Sequence, residues 1–172
     1  MYVKGDYTPD MATSLTIRTA GPEDATTIHE FIRALATYER EPGAVLVTPA
    51  MLREQLAGSR PPFECLLAEI AGRPVGFAVF FATYSTWRGV EGIHLEDLFV
   101  VEAERRHGVG RALFGRVARI ARERSCARLE WAVLDWNAPA IAFYRRLGGE
   151  PLDAWTTWRL ADAALDALAV AS

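Results

Sequence analysis

The stretch Ile93–Arg111 reads IHLEDLFVVEAERRHGVGR, and it decides the fold. Its first part, Ile93–Val101, is an apolar run rich in β-branched and aromatic residues, which predicts a strand. Two acidic residues, Glu96 and Asp97, sit in the middle of that strand. From Gly108 the pattern changes period. Val109, Leu113, Val117 and Ile120 recur at helical spacing, so a helix opens at the glycine. A strand that enters a helix through Arg105-Arg106-His107-Gly108-Val109-Gly110 offers an anion site. The first backbone N–H groups of a helix lack partners, and the helix start carries a partial positive charge. Glycines at 108 and 110 let an anion approach, and Arg105, Arg106 and Arg111 surround the same point, which suits a phosphate or diphosphate. The spacing is neither GxGxxG with an acid about twenty residues on, nor GxxxxGK[ST].

Upstream, Leu15–Thr19 alternates as a short strand, and Pro22 to about Tyr38 carries Ile28, Ile32 and Leu35 at helical spacing. Thr48 and Pro49 signal the start of a second helix to about Leu56. Phe63–Ile70 and Pro74–Tyr84 predict a hairpin turning at Ala71-Gly72-Arg73. The second arm is apolar on both faces, as a central strand is. Trp87–Gly92 reads as a loop.

Downstream, Arg128–Leu134 reads as a strand and Asn137–Leu147 as a helix stopped by Gly148-Gly149. Trp155–Leu160 reads as a last strand, followed by an alanine-rich, weakly helical tail. The order β-α-α-β-β-β-α-β-α-β implies an α/β fold: one mixed central sheet with helices on both faces. Residues 1–14 are polar and read as a flexible leader, leaving 15–172 as the domain.

The chain has 172 residues, enough for one sizeable core. Its net charge of −3 is too mild to point to nucleic acid or an anionic membrane. The apolar run Pro74–Trp87 is too short to span a bilayer, and no signal-peptide core opens the chain. Cys65 and Cys126 read as reduced core residues of a cytoplasmic protein. His29, His94 and His107 do not converge at any metal-ligand spacing, so no metal is expected. His29 and His94 read as surface or subunit-contact residues, and Trp87, Trp136, Trp155 and Trp158 as packing or pocket walls.

Arg105-x-x-Gly108-x-Gly110 resembles the acyl-CoA-binding segment of the GNAT superfamily of N-acetyltransferases. Ala36-Thr37-Tyr38-Glu39, Leu95–Val100, Asp135–Pro139 and Phe143–Gly148 resemble one branch of it, the diamine (spermidine/spermine) and thialysine acetyltransferases. That likeness spans roughly Leu15–Leu160. It implies acetyl-CoA as co-substrate, a small primary amine as acceptor, and a homodimer. By the same resemblance, backbone groups of Leu98, Phe99 and Val100 would hold the thioester and pantetheine. Arg105, Arg106, His107, Gly108, Val109, Gly110 and Arg111 would wrap the diphosphate. Asn137, Ala138, Pro139 and Ala140 would contact coenzyme A. Tyr144 would lie near the sulfur as general acid, and Glu96 would be the base or an acceptor-binding carboxylate. Tyr38, Glu39, Glu130, Trp131 and Ala132 would line the acceptor site. Asp97 reads as stabilising a nearby loop or turn.

Two departures stand out. Arg106 occupies the place of the family's first glycine, and Ser85-Thr86 and Thr156-Thr157 stand where polyamine enzymes carry acids. The second favours a lysine-like acceptor over a polyamine. The other readings are acetylation of an antibiotic or a protein or peptide amine, and a non-catalytic acyl-CoA-binding module.

Overall fold

In a computed structural model, the described residues are 14–170, and the leader expected over residues 1–14 lies outside them except for Ser14. The chain divides into two compact units, one ending at Ala132 and one beginning at Val133.

The first unit holds a five-stranded mixed sheet in sequential order: β1 (Leu15–Thr19), β2 (Glu64–Ile70), β3 (Arg73–Ser85), β4 (Val90–Val100) and β5 (Leu129–Trp131). The first four pair antiparallel, and β5 lies parallel to β4. Among its described residues the unit has three α-helices: α1 (Ala25–Tyr38), α2 (Pro49–Ala57) and α3 (Val109–Glu123). Alternation along the strands sorts the core into two faces. Cys65, Leu67, Phe77, Val79 and Phe99 face α1 and α2, where they pack with Ala25, Ile28, Phe31 and Leu52. Their strand neighbours Leu66, Ala68, Ala78 and Phe80 are buried on the other face, where α3 packs with Val109, Leu113 and Val117. β3 is central and buried on both faces from Val75 to Phe80, as its unbroken apolar run predicts. Both cysteines are buried free thiols, and burial raises the Cys65 pKa.

Local chemistry adjusts several boundaries. The first helix opens as a tight 3-10 turn over Pro22–Asp24, because the buried Asp24 carboxylate reaches back to the Gly21 N–H at 2.8 Å. That carboxylate also takes both terminal nitrogens of Arg18 at 2.7 Å, while Arg18 Nε donates to Glu69. The network ties β1, β2 and the entry to α1 together. Thr48 caps α2 by accepting from the Met51 N–H, as its position predicts. β4 begins at Val90, so the expected loop Trp87–Gly92 shrinks to a tight turn. Gly76 on β3 is required by packing: a Cβ there would lie 2.7 Å from the Phe99 carbonyl oxygen.

The second unit holds α4 (Ala138–Arg146) and α5 (Asp162–Val170). Two strand expectations fail in this half of the chain. The strand expected over Arg128–Leu134 is only Leu129–Trp131, because its ladder with β4 ends at Leu95. The strand expected at Trp155–Leu160 does not form, and every residue there is exposed. β-propensity reflects packing on a pleated surface, and alternating Trp and Thr without a neighbouring strand have none. The indoles expected to pack are likewise open, with Trp87 and Trp158 each 89% exposed. Among the described residues, no helix is long and apolar enough to cross a membrane.

Candidate active site

The glycine turn forms as its composition predicts. Gly108 is the N-cap of α3 at φ +86°, a left-handed conformation that suits glycine, and nothing lies within 4 Å of where a Cβ would stand. The helix start therefore opens outward. A cleft of about 630 Å³ runs from it, lined by Gly108, Arg111, Ala112, Gly115, Arg116 and Arg119 of the turn and helix and by Ile17 of β1. Arg111 in the first turn of a 15-residue helix, with Arg116 and Arg119 farther along the cleft, fits a phosphorylated ligand.

The other cationic residues of the turn are placed differently. Arg105 faces inward: its Nε donates to the Val100 carbonyl at 2.9 Å. Its guanidinium lies 4.9 Å from the Tyr38 ring centre and 5.6 Å from that of Phe99. It clamps the end of α1 to the end of β4. Arg106 takes φ +66°, the left-handed region, at the place where the resembled family has glycine. His107 Nδ1 stands 3.7 Å from Glu104 on the exposed surface.

A bulge sits at the middle of β4. Val79 pairs with Asp97 but Phe80 pairs with Leu95, so Glu96 is an extra residue with no opposite number. On the other side of β4 the ladder with β5 stops at Leu95–Trp131. From Glu96 to Val100, one edge of β4 therefore has no strand partner among the described residues. Along Leu98, Phe99 and Val100 only alternate backbone groups turn to this edge, the others facing β3. Leu98 and Val100 are half-buried and Phe99 is buried.

The bulge also gathers carboxylates. Glu96 is exposed. Asp97 follows it, and burial, then the charges of Glu96 and Glu39, push its pKa up to about 7. Burial also raises the pKa of Glu39, which closes α1 next to Tyr38. Tyr38, Glu39, Glu96 and Asp97 thus come from two distant stretches to one neighbourhood. Asp97, read from the sequence as a turn stabiliser, is the most perturbed acid at this site. Its position in a four-residue apolar context after Glu96 was the available signal, since burial of a strand carboxylate raises its pKa.

β5 splits the remaining acceptor-side residues. Glu130 is the register partner of His94, whereas Trp131 packs edge-on against Phe114 of α3, 5.0 Å between ring centres. Ala132 lies just beyond the strand and is exposed. His94, expected at the surface or a subunit contact, is partly exposed.

In the second unit, Asn137 is buried and caps α4, its side-chain oxygen accepting from the Ala140 N–H at 3.3 Å. Ala138 and Pro139 form the first turn behind it. Tyr144 is half-buried on α4, its ring 5.1 Å from that of Phe143. Among the described residues, no group of three or more His, Cys, Asp or Glu side chains gathers as a metal ion would require.

Comparison with known proteins settles the family. A sequence model described as "Acetyltransferase (GNAT) family" matches residues 28–149. The chain belongs to the GNAT family. GNAT enzymes use acetyl-CoA as co-substrate, and the glycine turn with its arginines fits that molecule's diphosphate. Among curated GNAT relatives, the cattle (Bos taurus) thialysine N-epsilon-acetyltransferase is 35% identical over 164 residues, covering 89% of this chain and 96% of its own. The human (Homo sapiens) spermidine/spermine N(1)-acetyltransferase-like protein 1 is 32% identical over 151 residues, covering 84% of this chain and 22% of its own. A solved integron cassette protein from V. cholerae superposes with a TM-score of 0.77 at 22% identity, covering 91% of this chain and 98% of its own, which shows the shared GNAT fold.

Proposed function

We propose that the chain acetylates the side-chain amine of a small lysine-like amino acid or diamine, with acetyl-CoA as donor, by direct attack on the thioester. The carrying observation is the cluster of Glu39, Glu96 and Asp97, where burial and then the charges of the two glutamates raise the Asp97 pKa to about 7. A crowded set of acids favours a cationic ligand, whose charge relieves the repulsion. Such a cluster is poorly matched to an anionic or neutral acceptor. Similarity to a thialysine N-epsilon-acetyltransferase supports the same acceptor class.

The chemistry follows from the charge of the acceptor. An alkylammonium has a pKa of about 10.4, so on the order of one molecule in a thousand is neutral near pH 7. One proton must leave before the nitrogen can attack. Glu96, the unpaired residue of the bulge, takes that proton directly or through water. Asp97 and Glu39 hold the ammonium before deprotonation, and Glu130 and Tyr38 help to wall the acceptor. As the amine attacks, negative charge grows on the thioester oxygen. N–H groups on the unpaired edge of β4, between Leu98 and Val100, stabilise it, an effect of about 3 kcal/mol per well-placed donor. The arginines and N–H groups at the start of α3 anchor the diphosphate, and Asn137 to Ala140 contact coenzyme A from α4. Tyr144 donates a proton to the departing thiolate, a task within reach of a phenol. Holding both substrates together supplies much of the rate without an acyl-enzyme. By the same family likeness the enzyme works as a homodimer, and its two free thiols suit the cytoplasm.

The test is a thiol-release screen against thialysine, lysine, ornithine, diamines, polyamines, aminoglycosides and peptide amines. Turnover on the basic amino acids or diamines, with a lower kcat/KM on polyamines, is expected. Turnover confined to aminoglycosides or peptides, or coenzyme A binding without turnover on any amine, overturns the assignment.

A further inference from the structure

His94 stands two residues before Glu96 on β4, and the mechanism above gives it no task. Its ring lies against Phe81 of β3, with centroids 5.2 Å apart. Its Nε2 is 3.6 Å from Glu96 Oε2, and about a third of its side chain (31%) reaches solvent. The charged groups around it come from three elements. β4 contributes Glu96 and Asp97. β5 contributes Glu130, the register partner of His94, with Arg128 bonded to Glu130 at 2.9 Å. The end of α1 contributes Glu39, which acts electrostatically on Asp97. β3 offers the Phe81 ring and the Thr83 hydroxyl but no charge.

A carboxylate with an ordinary pKa near 4.3 is a mismatched store for a proton taken from an amine of about 10.4. Imidazole, at about 6.5, matches the operating pH and exchanges protons readily with water. A group of that kind held beside the carboxylate and open to solvent can take the Glu96 proton and pass it on. We infer that His94 is the proton-relay partner of Glu96, a positioning residue that reaches the acceptor amine only through that carboxylate.

The steps balance. An N–H bond of the bound ammonium breaks, its proton passes to a Glu96 oxygen, and the electron pair stays on nitrogen as the nucleophile. The Glu96 proton passes to the lone pair of His94 Nε2, and the imidazolium returns one proton to water. At 3.6 Å, a small rotation brings the pair to hydrogen-bond distance. The inference rests on the proposed role of Glu96 at the amine.

The first test needs no turnover. The imidazole signals of His94 are followed by NMR across pH in the wild-type chain and in Glu96→Gln. Loss of the neighbouring carboxylate should change how the His94 ring signals respond to pH. A His94 titration that Glu96→Gln leaves unmoved overturns the relay. The second test is kinetic. His94→Gln, and His94→Phe which keeps the packing on Phe81, should lower kcat about tenfold at pH 7 and move the acid limb of kcat/KM by a unit or more. The acetyl-CoA KM should hold, and added imidazole should restore part of the rate of His94→Ala. A wild-type pH profile and rate in His94→Phe overturns the inference. A wild-type chain that turns over no amine fails the acetyltransfer reading instead, while the NMR titration still decides whether His94 and Glu96 are coupled.

Discussion

The two ends of one stretch, the β4 bulge and the start of α3, are opposites built twelve residues apart. The α3 end is basic and made largely of backbone: Gly108 and the first helical turn, with Arg111, Arg116 and Arg119 along the cleft. The β4 end is acidic and made of side chains: Glu96 and Asp97, joined by Glu39 from α1. One end suits a polyanion and the other a cation, so a single strand-turn-helix separates two charged substrates. Arg105 lies between them. It spends its charge on the Val100 carbonyl and the rings of Tyr38 and Phe99. If the division is real, damage at one end should spare binding at the other.

The largest effect is expected at Gly108. A β-branched residue at φ +86° is strained by roughly 1–2 kcal/mol, and its side chain would project into the open space before the helix start. Gly108→Val should raise the acetyl-CoA KM about a hundredfold while the acceptor KM changes by less than threefold. Steady-state kinetics with each substrate varied in turn measure both. Equal loss on the two substrates would show that the ends are not separate.

Asp97 gives the converse, a smaller effect confined to the acidic end. Asp97→Asn should raise the acceptor KM about tenfold and leave the acetyl-CoA KM in place, because one carboxylate–ammonium attraction is lost. It also has a pH signature. The folded-state pKa of about 7 lies above the ordinary value of 3.8, so between those values the folded chain holds a proton that the unfolded chain has released. Stability from this group is present at low pH and is lost as pH rises toward and through 7. Asp97→Asn should therefore melt about 2–4 °C higher than wild type at pH 8.5, roughly 1 kcal/mol for a chain of this size, with little difference at pH 4. Differential scanning calorimetry at the two pH values checks it. A gap of equal size at both would remove the titration of Asp97 as its cause.

The same contrast explains what could be read from the chain alone. The α3 end was legible because its parts are contiguous: a strand, two glycines, arginines and a helical stripe. The acidic end was half legible. Glu96 and Asp97 were visible in the strand, but the bulge that singles out Glu96 depends on the register of β3, fifteen or more residues away. The burial that perturbs Asp97 depends on the sheet around it, and the approach of Glu39 depends on how α1 closes over one face. Trp131 shows the same limit. The resemblance puts it with Glu130 at the acceptor site, and that its ring meets Phe114 depends on how α3 packs on the sheet. Trp155–Leu160 has the composition of a strand, and composition cannot supply the partner a ladder needs.

The smallest effect tests whether the basic end trades stability for charge. Arg106 adopts φ +66°, where a non-glycine residue costs on the order of 1 kcal/mol. Its side chain is exposed, so little packing offsets that cost. Arg106→Gly should remove the strain but also release a more flexible unfolded chain, which returns part of the gain. The net stabilisation is expected to be about 0.5 kcal/mol, a rise in melting temperature of about 1–2 °C. One cation is lost beside the diphosphate, so the acetyl-CoA KM should rise about twofold to fivefold, and more at low ionic strength. Acceptor KM should not move. A stabilised variant with weaker acetyl-CoA binding fits an arginine held in a strained turn for its charge. A stabilised variant that binds acetyl-CoA as tightly as wild type would leave the strain at Arg106 with no binding role.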